Sequence, residues 1–518
     1  MRTTIRRTAA LVAAPALFLG LASGLAPAQA DPTPAGTSAS TWLAGELTNG
    51  LMHNPQYDFD DYGLTIDAGL AELSMDNTAA ATQIRNAIAA HVNDYIAGDG
   101  SGDPGGRYAG STAKTLVLAQ RSGANPTSFG GVDLVSRLES LVAPSGRIGD
   151  VSTYGDFANT IGQSFAVEGL TTANSPEGGA ATAYLLTQQC PAGFFRLDLG
   201  DQQCADNADP DTDVTALAML ALQSRSSQPS VAAALTKAVA WLKTTQAADG
   251  SFGGGAVTAS PNTNSTGLAA AALGASCEIP AANKAAAYVR GFQVPAGQTG
   301  PLASEVGAIA YDAAGRTAGQ ASGITDTTSD QWRRATAQAT PGLAWDSSAK
   351  PTVSITGPAK LVKSGTRVYA TISGAADGER ICLTHGTTTT MIDGIGGPLT
   401  VPIDLPKEGG PVTLSATTGP GAATATFTSL DKDKDKLKVK LAKTIGQGDR
   451  ATVKLKGFAA KERVRVLVDG KVVAKGKANG KGAFVGRFVA SFKLGVHQLK
   501  AVGQFKFRKV AASFRVVP

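Results

Sequence analysis

From Trp42 to Asp346 the chain repeats one phrase at a period of about 50 residues: a small-residue helix, a glycine turn with a bulky apolar residue, then an alanine-rich helix. The turns read GGRYAG (Gly105 to Gly110), SGRIGD (Ser145 to Asp150), GFFRLD (Gly193 to Asp198), DGSFGG (Asp249 to Gly254), TGPLAS (Thr299 to Ser304) and PGLAWD (Pro341 to Asp346). Helix starts follow the first five: GSTAKTLVLA, NTIGQSFAVEGL, DTDVTALAMLAL, NTNSTGLAAAAL and SEVGAIAYDAA; DYGLTIDAGLAEL opens the series at Asp61. Aligned on their Thr/Ala core, Asp61, Asn159, Asp211 and Asn262 take equivalent places, with gaps of 98, 52 and 51 residues. This spacing predicts six helical pairs.

A two-helix repeat cannot bury its own apolar stripe and must stack on its neighbours. The second helix of each pair is rich in Ala and Gly, as a helix packed on both sides must be. The first helices, such as TQIRNAIAAHVNDYI and SVAAALTKAVAWLKTTQ, carry charge on one face and read as an outer layer. Six inner and six outer helices closing on themselves make an α6/α6 toroid. Asp and Asn ahead of each inner helix are suited to N-capping.

Beyond Pro351 the helical phrase gives way to alternating strands: PTVSITG, TRVYATISG, LTVPIDL and PVTLSATTG, then, after the charged joint DKDKDK (Asp431 to Lys436), LKVKLA, ATVKLKG, RVRVLVDGKVVAKGKA and GAFVGRFVA. The fold class expected is therefore multidomain α plus β: a toroid over residues 31–346 and two β-sandwiches over 351–430 and 435–518. Residues 1–30 read as a secretory signal, with Arg2, Arg6 and Arg7 before an apolar run and Ala28-Gln29-Ala30 at the cleavage point. The expected location is outside the cell, with noncovalent attachment to the wall, and no segment has the apolar length of a membrane span.

Charge follows the same boundaries. Residues 431–518 hold 23 Lys/Arg against 6 Asp/Glu, a balance of +17, whereas 31–430 hold 21 against 35, a balance of −14. A basic terminal module on an exported chain points to an anionic envelope polymer as partner. Nucleic acid is not expected, because no aromatic interleaving offers bases a stacking surface. Of the four cysteines, Cys190 and Cys204 bracket one turn and are expected to pair in an oxidising compartment. Cys277 and Cys382 either clamp the toroid to the first sandwich or stay free and buried; the sequence leaves both open.

The turn residues Gln246, Asp249, Gly250, Phe252 and Gly253 resemble, with one fewer spacer, the Gln-x-x-x-Asp-Gly-x-aromatic-Gly turn of the terpenoid cyclase and protein prenyltransferase toroid superfamily. CPAGFFRLD followed by DPDTDVTALAMLAL is similar to its secreted, cobalamin-carrying branch, and KANGKGAFVGRF with LGVHQLKAVG resembles bacterial immunoglobulin-like modules. The first resemblance covers about three fifths of the chain. It implies cobalamin as one ligand, although the carriers close their site with a different small β domain where this chain has sandwiches. It also draws attention to Asp58, Asp60 and Asp61, since class II cyclases use a D-x-D-D segment as proton donor. Those enzymes line their cavity with aromatics, and here the inner helices offer only Phe165 and Tyr311.

Paired carboxylates of a glycan-active enzyme could come from Asp61, Asp67, Glu168, Asp211, Asp213 and Glu305. A calcium site is suggested by Asp206, Asp209, Asp211 and Asp213, which place oxygen ligands along one loop without the Gly and terminal Glu of a helix-loop-helix site. The reading adopted is a secreted, non-catalytic protein that binds a ligand not named by the sequence at the toroid rim. The rim residues would be Asp61, Asn159, Asp211, Asp213 and Asn262, where helix N-termini gather. The alternative is a terpene cyclase-like or glycan-active enzyme using the same carboxylates.

Overall fold

The computed structural model describes residues 33–100, 102–348, 353–419, 422–431 and 437–518. The expected signal segment and most of the DKDKDK joint lie outside the described residues. The helices are α1 (Pro34–Gly45), α2 (Tyr62–Ser74), α3 (Thr78–Ala90), α4 (Val92–Ile96), α5 (Ala109–Arg121), α6 (Leu134–Glu139) and α7 (Thr160–Thr172). They continue with α8 (Gly178–Thr187), α9 (Thr212–Leu222), α10 (Pro229–Thr245), α11 (Thr263–Ala275), α12 (Ile279–Gly291), α13 (Ala313–Ser322) and α14 (Ser329–Leu343).

Small residues make the inner ring. A Cβ on Gly267 of α11 would lie 2.4 Å from the Ala339 Cα of α14, so the two backbones meet without side chains between them. Helix α2 packs on α5, α5 on α7, α7 on α9, α9 on α11, α11 on α14, and α14 returns to α2. The ring is closed. Its sixth inner helix is α14, not the Ser304 segment expected from the sequence: SEVGAIAYDAA forms an extended turn running into α13, and PGLAWD closes α14. Tyr311 accordingly stands in that turn, where its carbonyl accepts the Thr263 N–H at 2.8 Å, and not on an inner helix.

The turns share one mechanism. Gly146, Gly193, Gly250 and Gly307 all have φ between 88° and 110°, and a Cβ on them would lie 2.1 to 2.4 Å from the carbonyl oxygens of Ala180, Lys237, Lys284 and Ser38. Only glycine permits both the positive φ and that approach. Two residues on, the N–H of Ile148, Phe195, Phe252 and Ile309 donates to Gln163, Thr215, Thr266 and Thr336 of the inner helices, at 2.9 to 3.0 Å. The turn thereby ties one repeat to the outer helix of the next. Gly307 seats on Ser38, so α1, from the start of the described chain, is the outer helix that completes the ring. Gln293 Nε2 donates to Ala35 O at 2.9 Å, and the Thr33 hydroxyl to Leu343 O at 2.9 Å, which holds it there.

The strand-rich part is a duplication. The short ladder β1 (His53–Asn54) with β2 (Phe59–Asp60) belongs to the helical part. The first module contains β3 (Ser354–Thr356), β4 (Leu361–Lys363), β5 (Arg367–Ser373), β6 (Asp377–His385), β7 (Thr388–Ile395), β8 (Leu399–Asp404), β9 (Gly410–Thr417) and β10 (Ala422–Leu430). The second contains β11 (Lys438–Lys440), β12 (Thr444–Gly446), β13 (Arg450–Lys456), β14 (Arg463–Val468), β15 (Lys471–Lys477), β16 (Phe484–Val489), β17 (Gly495–Val502) and β18 (Lys509–Val517). Sheets run β3-β5-β8 and β4-β10-β9-β6-β7 in the first, β11-β13-β16 and β12-β18-β17-β14-β15 in the second. Strand for strand the order is the same. Alternation puts Val453, Leu455, Val464, Val466, Leu499 and Phe514 inside the second sandwich.

Both cysteine pairs are disulfides: Cys190 with Cys204, and Cys277 with Cys382, which joins the toroid to the first sandwich. Among the described residues no helix is long and apolar enough to cross a membrane.

Candidate functional site

Four of the six inner helices, α2, α7, α9 and α11, begin at one end of the ring with side-chain caps. Asp61 accepts from Leu64 N–H, Asn159 from Gly162, Asp211 from Asp213 and Val214, and Asn262 from Ser265. These four groups satisfy the orphan donors of a helix start. Asp61 also holds Arg334 of α14, which reaches Asp330 at 2.8 Å.

A cavity of about 170 Å³ lies within the ring, in the C-terminal halves of the same helices. All six inner helices line it: Leu70 and Ser74 of α2, Arg121 of α5, Phe165 and Glu168 of α7, Leu217 and Leu220 of α9, Leu268 and Ala271 of α11, Gln338 and Pro341 of α14, with Trp345 after it. Its wall is mainly aliphatic. Trp345 reaches the cavity because Gly274 has no side chain; a Cβ there would lie 2.0 Å from the indole. None of the rim residues Asp61, Asn159, Asp211, Asp213 and Asn262 is among the lining, so the caps and the cavity occupy opposite halves of the ring.

Two ion pairs stand at the cavity. Arg121 contacts the largely buried Glu168 at 2.6 Å through Nη2 and 2.7 Å through Nε. Arg121 ends α5, where a cation is favoured by the helix dipole. Lys114 contacts Asp67 at 2.6 Å, donates to Gly63 O at 2.9 Å and lies 6.0 Å from the Phe165 ring centre. Burial opposes the charge on Lys114, but Asp67, Tyr95 and Asp61 outweigh it and hold the ammonium pKa above its ordinary value. Both carboxylates at the wall are thus matched by a cation.

The remaining candidates are dispersed. Asp58, which is exposed, and Asp60 face opposite nitrogens of the His53 ring, at 3.5 and 3.0 Å, and Asp61 turns to Arg334, so the D-x-D-D carboxyls do not meet one another to share a proton. Asp206 accepts from Ala208 N–H, and Asp211 is occupied by its cap. Asp209 is exposed. Among the described residues no group of three or more His, Cys, Asp or Glu side chains gathers as a metal site would. Glu305 accepts from Trp42 Nε1 at 2.8 Å, away from the cavity.

Two carboxyls are poised differently. Burial first, and the neighbouring Asp211 charge, push the pKa of Asp213 up to about 6 against a lowering by Ser265, and its Oδ1 has no hydrogen-bond partner. Glu72, wholly buried between α2 and α1, is pushed by desolvation to about 7, with Ser40 and Asn77 lowering it only in part. Sequence reasoning passed over Glu72, Arg121, Leu217, Gln338 and Trp345. For Arg121 and Trp345 a signal existed: a cation ending an inner helix just after the apolar run Leu116 to Ala119, and a Trp in a chain with only four.

No protein family and no curated protein matches the sequence. Solved structures resemble its helical part. The type II terpene cyclase MstE from Scytonema is 14% identical over 60% of this chain and 96% of its own, with a TM-score of 0.43. A protein from Actinoplanes is 17% identical, over 60% and 97%, at 0.43. A glycosidase is 13% identical, over 60% and 95%, at 0.39.

Proposed function

We propose that this chain is an exported binding protein whose toroid takes a small apolar molecule, one ring or a short chain, with a polar group at the Arg121–Glu168 pair. The observation that supports it is the central cavity: lined by all six inner helices, mainly aliphatic, with both of its carboxylates neutralised by cations. A proton-donating acid at that wall would have to be free of such a partner. At about 170 Å³ the cavity slightly exceeds an apolar one of roughly 150 Å³ that binds benzene. Titration of the full chain with octanol and with octanoate, read by isothermal calorimetry, tests the reading. Saturable one-to-one binding, lost in Leu217→Trp, is expected; a filled cavity that binds as well as the native one contradicts it.

An enzymatic reading, on isoprenoid or glycan substrates, has one observation in its favour. Asp213, with a pKa near 6 and an unpartnered oxygen, is a carboxyl that stays partly protonated near neutrality, as a general acid must. It stands at the capped end, not at the cavity wall. Asp213→Asn separates the readings: it would abolish any turnover and leave octanol binding unchanged.

A further inference from the structure

The two β modules serve as each other's control. Their three-stranded sheets pair in the same register: Ser354 opposite Ser373, Thr356 opposite Thr371 and Arg367 opposite Asp404 in the first, and Lys438 opposite Lys456, Lys440 opposite Lys454 and Arg450 opposite Val489 in the second. In the first module Ser354, Thr356, Arg367 and Asp404 are exposed and Thr371 and Ser373 half-buried, whereas all six of the second module's residues face solvent. The first module meets its arginine with an acid, Arg367 to Asp404 at 2.8 Å. The second sets a valine there, and adds Arg487 opposite Thr452.

Solubility does not explain this. The first module, with the same strand order, is served by Ser and Thr and holds 5 Lys/Arg against 5 Asp/Glu over residues 351–430, whereas residues 437–518 hold 20 against 3. Like charges directly opposite each other in a sheet are destabilising. Of those three acids, Glu462 holds Arg508 and Asp469 holds His497, so neither relieves the face.

We propose that the outer face of β11-β13-β16 is a docking surface for a flexible phosphodiester polymer of the cell envelope. Charge complementarity carries the choice of partner. Along a strand alternate residues repeat at about 6.7 Å, and strands lie about 4.8 Å apart, giving a flat lattice of cations that suits a chain with one negative charge per short repeat. Four of the six cations are lysines, point charges without the fixed fork of arginine. The face has Thr452, Val485 and Val489 between its cations and no aromatic residue, so it offers no stacking platform for bases or sugar rings. The surface is independent of what the toroid binds.

The test uses the full chain and poly(glycerol phosphate). One variant transplants the first module's residues, Lys438→Ser, Lys440→Thr, Lys454→Thr and Lys456→Ser; a second, Lys475→Thr, Lys477→Thr, Lys500→Thr and Lys509→Thr, removes the same charge from the other sheet. With six cations engaged, log K should fall against log salt with a slope of about −4, and about −1 in the first variant. The second variant should keep the native slope, and the first should melt no lower than the native protein. Equal loss in both variants would reduce the effect to net charge, and overturn the proposal. So would a native chain that ignores the polymer, or one that binds phosphatidylglycerol vesicles or duplex DNA more tightly.

Discussion

Replacing Glu72 by Gln should stabilise the toroid, and only above mildly acidic pH. The side chain is fully buried where α2 meets α1; Ser40 donates to Oε2, and Asn77 donates to the Ser40 hydroxyl at 3.1 Å, while Oε1 has no partner. Desolvation raises its pKa from 4.5 to about 7. Because the folded value lies above the unfolded one, the folded chain holds a proton that the unfolded chain has released between those pH values. Stability therefore falls as pH rises through that window, and the loss is complete above it. At about 1.4 kcal/mol for each tenfold change the full penalty is about 3 kcal/mol at pH 8. Glutamine keeps the shape and the acceptor for Ser40 and carries no ionisation. By the usual entropy of unfolding per residue, a toroid of this size should melt about 5 °C higher in Glu72→Gln at pH 8. At pH 4 the two proteins should melt together. Scanning calorimetry at the two pH values reads both. An equal difference at pH 4 and pH 8, or none at either, would refute the assignment of a buried, protonated carboxyl.

Gly250→Ala should destabilise the toroid by about 2–4 kcal/mol, since its φ of 95° and the Lys284 carbonyl 2.4 Å from the new Cβ both oppose it; chemical denaturation would show a shifted midpoint. Replacing Cys277 and Cys382 together by Ala should uncouple the first sandwich from the toroid, and a single calorimetric transition should split in two; an unchanged thermogram would mean that the contact surface alone couples them. Asp60→Asn with Asp61→Asn should cost under about 1 kcal/mol, because Asn still caps α2 and Arg334 keeps Asp330, and should leave ligand binding unaltered.

The ring was legible because its repeat has a mechanical cause. Asp61, Asn159, Asp211 and Asn262 align since each caps an inner helix, and the residue four places on, Thr65, Gln163, Thr215 or Thr266, receives the turn's N–H. The last repeat was misread because its glycine turn is VGAI, at Gly307, with an additional helix, α13, before the inner one. Nor could local pattern reveal that α1 completes the outer ring, a contact between Ser38 and Gly307 across most of the toroid. The cavity was hidden for a similar reason. Its wall takes between one and five residues from each of six helices, and whether Leu217 or Trp345 faces inward depends on how those helices rotate as they close. The capped rim was visible as a pattern of Asp and Asn, which drew attention to the opposite end from the cavity. Charge was the more direct guide, since the +17 balance maps onto sheet faces whose register needed only strand alternation.

The central claim is that the ring encloses a binding cavity and holds its ligand unchanged. Native mass spectrometry of the full chain incubated with octanol tests it most directly. The account predicts a one-to-one adduct that releases intact octanol on unfolding and is missing in Leu217→Trp. An adduct of equal abundance in that variant, or none in the native protein, would contradict it.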